Sequence, residues 1–346
     1  SSGSSRALGC RRLCAKPPPR PPSAMAWSLV ASLTAALLAS SGAAAAPAAP
    51  ARPVPRVALP GGAQMPMVGL GLCCRPTASG DAVRQSVLDF LLLGGRHLDD
   101  AELYKNHHEV GLGIQQAIAQ GVPREEIFFT TKIDVPNFGF ERVLEWVPKM
   151  LGELGLDYVD LVLLHWAGGD DEVCGTARQC RLETWLALQR FWRGGQIRSL
   201  GVSNFGPRQL KEIQALLGAP IAVNQLEFHP WAEEPHRETV AFCHQQGIAV
   251  TAYGSMGSSG GAGQLTAEEA FKQLGAPHGK TAGQVLLRWA VQQNITVIPG
   301  TGNPKHMREN LDVFDFALPA EGMDFMDSLR QGQTFNLFGH VPDKIP

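Results

Sequence analysis

Residues 158–166 read Y-V-D-L-V-L-L-H-W, a short apolar run with helical patterns on both sides, at 140–154 and 182–192. Such a run reads as a buried strand, and strands that alternate with helices belong to a parallel sheet. The same alternation extends outward from this segment. Toward the N-terminus lie a strand at 127–133 (I-F-F-T-T-K-I), a helix at 107–119, a strand at 96–101, a helix at 81–93 and a first strand at 67–72. Toward the C-terminus lie strands at 197–203, 222–228, 249–253 and 296–299. Helices at 208–217, 234–246, 267–274 and 282–293 separate them, and further C-terminal helices are expected at 304–313 and 320–329. Eight strand–helix units in about 250 residues fit an α/β fold, a (β/α)8 TIM-type barrel with extra C-terminal helices. An open doubly wound sheet is the competing architecture, but no G-x-G-x-x-G opens the first helix. V-A-L-P-G-G-A-Q-M-P (57–66) reads as an N-terminal β-hairpin that closes the barrel floor.

The barrel is expected over residues 57–346, preceded by a disordered leader at 1–56. Residues 1–24 hold five Lys or Arg, no acid, and the run Pro-Pro-Pro-Arg-Pro-Pro. Such a segment cannot bury a core. Met25 is a candidate start, and an apolar stretch followed by Ala-rich residues makes 25–46 resemble a signal or targeting segment. A retained membrane anchor is the less favoured alternative, since Ala, Ser and Gly leave this stretch weakly apolar. A net charge of −2 and the lack of a basic stripe with interleaved aromatics give no support for nucleic-acid binding. Seven cysteines without regular spacing do not suggest a disulfide framework or a zinc site. Cys174 and Cys180 are close enough in sequence to pair in an oxidising compartment, but reduced thiols are the expectation.

Reacting groups in such barrels sit at the C-terminal ends of strands. The second strand exits through L-D-D-A-E-L-Y, with Asp99 and Tyr104; the third through T-T-K, with Lys132; the fourth through L-L-H-W, with His165. Singly, each has an ordinary structural explanation, a helix cap for Asp99 or a core histidine for His165. At three successive exits they form a set suited to carbonyl reduction. Hydride addition to a carbonyl leaves an alkoxide that needs a proton, and a tyrosine can supply it. Lys132 would favour the phenolate and so lower the pKa of Tyr104, while Asp99 keeps the lysine charged. A neutral His165 would donate a hydrogen bond to the carbonyl oxygen.

The later exits suit a flat, amide-bearing ring. Ser203 and Asn204 close the fifth strand (G-V-S-N-F), and Gln225 lies in the sixth. Together they can hydrogen-bond a carboxamide such as that of nicotinamide. Tyr253 ends the seventh strand, where its face can stack on the ring. The eighth exit, V-I-P-G-T-G-N-P, runs into a helix, a common place for phosphate binding in barrels.

These segments resemble the aldo-keto reductase family. The likeness is carried by R-H-L-D-D-A-E-L-Y-K-N-H-H-E-V-G (96–111), L-G-L-D-Y-V-D-L-V-L-L-H-W (154–166) and I-R-S-L-G-V-S-N-F (197–205). A-V-N-Q-L-E-F-H-P (222–230), G-I-A-V-T-A-Y (247–253) and I-P-G-T with R-E-N (298–310) extend it to most of residues 57–316. The resemblance implies NADPH-dependent reduction of aldehydes or ketones without a metal, with Asp99, Tyr104, Lys132 and His165 as the catalytic tetrad. It implies that Ser203, Asn204 and Gln225 bind the carboxamide and Tyr253 stacks on the nicotinamide. Thr301 falls at the cofactor's phosphates, and Glu309 and Asn310 at its adenine. There are departures. Where the family commonly has Lys-Ser after Ile-Pro, this chain has Gly300-Thr301, and His306 stands at a nearby family arginine. The loss of charge-assisted bonds to a 2′-phosphate makes NADH the alternative cofactor, unless Lys305 or Arg308 compensates. Gly71-Leu72-Cys73 replaces a common Gly-Thr-Trp, and Asp100 stands where threonine is frequent.

Substrate walls are expected from Trp166 and the loop to residue 180, from Trp231, and from the aromatic tail at 333–340; Phe335 and Phe338 serve equally well as rim seals. A monomer acting on a small carbonyl compound is the reading adopted. Two alternatives stay open at this point: a cofactor-bound regulatory subunit on the same barrel, and a barrel lyase or hydrolase with Lys132 as nucleophile.

Overall fold

The computed structural model describes residues 53–169, 173–257, 262–329 and 344. Residues 1–52, which hold the expected targeting segment, and 333–340, the expected aromatic tail, lie outside the described residues. A hairpin comes first, with β1 (Arg56–Ala58) antiparallel to β2 (Gln64–Pro66). Eight barrel strands follow: β3 (Leu70–Gly71), β4 (His97–Asp99), β5 (Phe128–Ile133), β6 (Val159–Leu164), β7 (Ile197–Ser203), β8 (Ile221–Glu227), β9 (Ala249–Tyr253) and β10 (Ile295–Val297). The pairings among these eight are all parallel, each strand beside its neighbour in sequence. The crossovers are α1 (Gly80–Leu92), α2 (His107–Ala119), α3 (Phe140–Leu154), α4 (Ala177–Arg193), α5 (Pro207–Gln214), α6 (Glu234–Gln245), α7 (Ala262–Gly275) and α8 (Ala282–Gln292). The extra helices α9 (Pro304–Leu311) and α10 (Ala320–Ser328) complete the described chain.

The ends of the sheet meet, and this excludes the doubly wound alternative. Val68 bridges Val297 in parallel, Gly69 N–H donates to the Val297 carbonyl at 2.8 Å, and Val297 N–H donates to the Met67 carbonyl at 3.0 Å. A closed sheet has no exposed edge. At this seam β3 and the exit of β10 run unusually close. A Cβ added to Gly71 would lie 2.6 Å from the Ile298 carbonyl oxygen, so only glycine fits.

Two apolar layers hold the barrel. The larger packs the outward faces of the strands against the helices, as Trp146, Trp185 and Trp289 do with Val162, Val202 and Val250. The smaller lies inside: Phe128, Leu161, Leu163, Ala222 and Val223 meet Leu59 and Met65 of the hairpin. The hairpin thus plugs the barrel at the end where the strands begin, as its sequence suggests. The connection is made earlier than the expected domain boundary. Arg56 already belongs to β1, Val54 packs on the core, and the Pro55 carbonyl accepts from Met67 N–H at 2.9 Å.

The cysteines correct one expectation. Cys174 is disulfide-bonded to Cys180, while Cys243 is free and buried. Cys174 lies just before α4 and Cys180 within its first two turns, so the helix start brings together two sulfurs that spacing alone leaves apart. Among the described residues no helix is long and apolar enough to cross a membrane.

Closure at Gly71 is testable. Gly71→Ala should force the seam apart and cost about 1–3 kcal/mol of stability, the usual range for an overpacked buried contact. Urea unfolding should show the lowered midpoint, and an unchanged midpoint would mean that the β3–β10 contact is not tight.

Candidate active site

Strand alternation places the charged residues. Successive side chains in a strand point to opposite faces. Asp99 therefore turns into the barrel from the end of β4, and Asp100 turns the other way, toward α2. Lys132 on β5 is 1% exposed and donates from Nζ to Asp99 Oδ1 at 2.5 Å. It also donates to the Asp100 carbonyl at 2.9 Å and lies 3.3 Å from the Tyr104 hydroxyl. Tyr104 reaches this point because residues Glu102–Tyr104 form a single 3-10 turn, ended by Lys105 in the left-handed conformation at φ 52°. His165 follows β6 directly and meets Tyr104 edge-on, with ring centroids 5.9 Å apart. The structure thus brings together all four residues that the strand exits nominate.

Electrostatics assign each group a state. Burial alone would lower the pKa of Lys132, but the Asp99 carboxylate and Tyr104 outweigh it and hold the ammonium charged. A charged ammonium is not a nucleophile, which removes the basis of the Schiff-base alternative. Burial raises the pKa of Tyr104 above its ordinary value while Lys132 pulls it down. The expectation of a net lowering by Lys132 is therefore corrected: desolvation of a phenolate at the barrel mouth costs more than the ammonium returns. The phenol stays protonated, as a proton donor must. Burial, aided by Lys132, lowers His165 to about 3, so its imidazole is neutral. Its Nδ1 is buried without a hydrogen-bond partner and lies 4.0 Å from Asp134 Oδ1.

The amide-bearing set joins this cluster directly. Gln225 on β8 donates from Nε2 to Asp99 Oδ2 at 2.6 Å, so Asp99 is held from both sides of the barrel. Asn204 donates to the His165 carbonyl at 3.0 Å and to Ser203 Oγ at 3.1 Å, with its backbone left-handed at φ 64°. The Tyr253 hydroxyl donates to Asn204 Oδ1 at 2.8 Å. A continuous hydrogen-bonded path therefore runs from Lys132 through Asp99, Gln225 and Ser203 to Asn204 and Tyr253. Thr301 accepts at Oγ1 from Asn303 N–H at 3.0 Å, shaping the turn before α9. Glu309 and Asn310 lie on that helix, and Asn310 is buried. Trp166 stacks on His165, with centroids 5.7 Å apart and planes at 16°. Trp231 is instead buried beneath the surface, edge-on to Phe271 at 5.8 Å.

Two groups escape sequence reasoning. Asp100 is fully buried, its carboxyl relieved only weakly by the Ala101 backbone, and lies 3.8 Å from His107 Nε2. Arg75, from the loop after β3, crosses to the exit of β10, where its Nη2 is buried and unpaired. The first could be found only from the alternation of the strand, the second only from closure of the sheet.

Comparison with known proteins places the chain. The model of the aldo/keto reductase family matches residues 76–331. The glyoxal reductase of Bacillus subtilis is 36% identical, over 84% of this chain and 96% of its own. Aldo-keto reductase family 1 member A1 of Mus musculus is 35% identical, over 79% of this chain and 89% of its own. The crystal structure of a Bombyx mori aldo-keto reductase in complex with NADP superposes with a TM-score of 0.75 at 30% identity, covering 86% of this chain and all of that one. The chain belongs to the aldo/keto reductase family and is an NAD(P)H-dependent oxidoreductase of that family. Nothing in these likenesses favours a regulatory subunit.

Asp100 gives the site a pH signature. Burial pushes its carboxyl up to about 8, against about 3.9 for an unfolded chain. Between those values the native state binds the extra proton, so this residue makes stability fall as pH rises from about 4 to about 8 and level off above. Asp100→Asn should abolish this part of the decline. Denaturant midpoints compared at about pH 5 and pH 8 measure it, and an equal fall in variant and parent would contradict the assignment.

Proposed function

We propose that this protein reduces an aldehyde or ketone to an alcohol with Tyr104 as the proton donor. The observation that carries the reading is the hydrogen-bonded network that links a protonated Tyr104 and a charged Lys132 to Ser203, Asn204, Gln225 and Tyr253, with a neutral His165 joined through its main-chain carbonyl and packed edge-on to Tyr104. The donor set fits a nicotinamide dinucleotide. Ser203, Asn204 and Gln225 would hold its carboxamide, Tyr253 would stack on its ring, Thr301 would lie at its phosphates, and Glu309 and Asn310 at its adenine. Ser255 Oγ and Arg75 Nη2, buried without partners at the exits of β9 and β3, are the orphan donors expected where a polar ligand completes the site. When bound, the cofactor supplies a hydride to the carbonyl carbon.

The residues of the chain do the rest. Tyr104 donates its hydroxyl proton to the carbonyl oxygen as negative charge builds there. Lys132 stabilises the phenolate that remains, and Asp99 keeps Lys132 charged and in place. Neutral His165 orients the carbonyl oxygen, with Asn204 fixing the backbone that carries it. Trp166, stacked on His165, forms one wall of the substrate site and Trp231 supports another. NADPH is the preferred cofactor in this reading and NADH the alternative. The Bombyx mori relative, solved with NADP, supports the first.

The catalytic domain takes in Val54 to Arg56 as well as residues 57–346, and the residues before it form a leader whose 25–46 segment serves as a signal or targeting sequence, supported by its apolar-then-alanine order. The protein acts as a monomer in this reading.

Tyr104→Phe tests the acid role. It should lower kcat on small aldehydes by about 10²–10⁴, the usual worth of a positioned acid, while binding of the reduced cofactor is kept. The decay of cofactor absorbance with an aldehyde panel measures the first, and fluorescence titration the second. Full activity in the variant would refute the role of Tyr104, and lack of turnover by the cofactor-loaded parent would refute the reductase reading.

A further inference from the structure

Arg75 is an unusual cation for its surroundings. Its Nε donates to Thr77 Oγ1 at 2.9 Å, and Nη1 donates to the Gly71 carbonyl. Its Nη2 is buried without a partner. Burial lowers its pKa to about 10, and among the described residues no acidic group offsets that cost. Partly buried arginines are normally matched with a carboxylate, as Arg124 is with Asp160 at 2.9 Å and Arg181 with Glu212 at 2.6 Å. A partly buried guanidinium with one nitrogen sealed from water and neutral partners alone has an unmet preference for an anion.

The position of Arg75 indicates which anion. The guanidinium lies across the seam of the barrel, over the exit of β10. A Cβ built on Gly300 would lie 3.1 Å from Nη1, and one built on Gly302 would lie 2.6 Å from Thr77 Oγ1. The loop after β3 therefore rests on residues 300–302, and glycine at 300 leaves room for the arginine. This exit lies beside β9, which carries Tyr253, and leads into α9, which carries Glu309 and Asn310. A dinucleotide spread from Tyr253 to α9 must carry its phosphates past this point, because the phosphates join its two halves. Other cations nearby are less suited. Lys305 is 76% exposed and 3.7 Å from Glu309, and Arg308 is exposed on the same helix.

We propose that Arg75 is a phosphate-binding residue of this chain, holding a phosphate of the dinucleotide through Nη2 across Gly300. The inference rests on the nicotinamide reading of the site. Two phosphate positions share this chemistry, the pyrophosphate present in both cofactors and the 2′-phosphate present only in NADPH. The arginine comes from the first strand exit, so it can provide the cation that residues 300–301 do not.

Binding affinities distinguish these cases without reference to turnover. NADPH and NADH are titrated against tryptophan fluorescence in the full chain, in Arg75→Gln, which keeps a donor for the Gly71 carbonyl, and in Arg75→Lys. Arg75→Gln should weaken binding about tenfold or more, as expected for loss of a charge-assisted hydrogen bond. Arg75→Lys should recover part of the loss, because it restores the charge without the planar fork. Weakening of NADPH alone supports the proposal at the 2′-phosphate, and equal weakening of both supports it at the pyrophosphate. Affinities of Arg75→Gln within twofold of the parent for both cofactors would overturn it and leave Arg75 as a latch on Gly71. Thermal melts without cofactor report whether each variant is folded. Should Arg75→Gln fail to fold, Arg75→Lys decides: a loss of about threefold or more supports the proposal, and unchanged affinity overturns it. A parent that binds neither dinucleotide would instead refute the nicotinamide reading, independently of any variant.

Discussion

A lysine ammonium 1% exposed inside a barrel is the constraint around which this site is built. Removed from water, that charge is tolerable only with a carboxylate at contact distance and its remaining protons satisfied. Asp99 supplies the contact at 2.5 Å, the Asp100 carbonyl accepts a second hydrogen bond, and the Tyr104 hydroxyl is within reach of a third. Asp99 has a second oxygen to satisfy, and Gln225 reaches it from β8, across the barrel. One buried ion pair thus ties β4, β5 and β8 together, and it can do so only because the sheet has curled. The rest of the network grows from that tie.

The same ion pair controls the neighbouring titrations, and the controls oppose one another. Lys132 helps to keep His165 neutral and pulls the pKa of Tyr104 down. Burial acts more strongly than the lysine on both groups. It adds to the effect of Lys132 at His165 and opposes it at Tyr104. The result is one neutral hydrogen-bond donor and one protonated phenol beside a fixed positive charge. That combination stabilises negative charge on a carbonyl oxygen only as it develops, which is where stabilisation accelerates a reaction. Asp100 shows what happens without such pairing. One residue along the same chain, its carboxyl has no cation in contact and is held in its neutral form up to about pH 8.

Much of this was legible in the sequence because the barrel is locally organised. Strands β4, β5 and β6 are neighbours in both sequence and space, so Asp99, Lys132 and His165 could be read from three successive exits. The alternation of apolar runs and helices located every barrel strand, and the strands at 197–203 and 249–253 agree with the structure at both ends. The hairpin was visible in its Gly61-Gly62 turn. Where reading along the chain fell short, the missing information was a contact between distant segments or a balance of opposed effects. The Cys174–Cys180 disulfide needs the first turns of α4 to bring the sulfurs together. The net shift of Tyr104 depends on how far burial outweighs Lys132, and burial is not written in residue order.

The sequence by itself determined the alternating fold, the residues at each strand exit and the chemistry those side chains can perform, because local patterning and side-chain type suffice for these. Only the tertiary structure decided which groups touch across the closed barrel. It joined Gln225 to Asp99, turned Asp100 away from its neighbour's partner and laid Arg75 over Gly300. The physical reason is closure. Joining β3 to β10 brings the first and last exits of the sheet into contact, and residues more than two hundred positions apart then share one site, which no spacing along the chain can foretell.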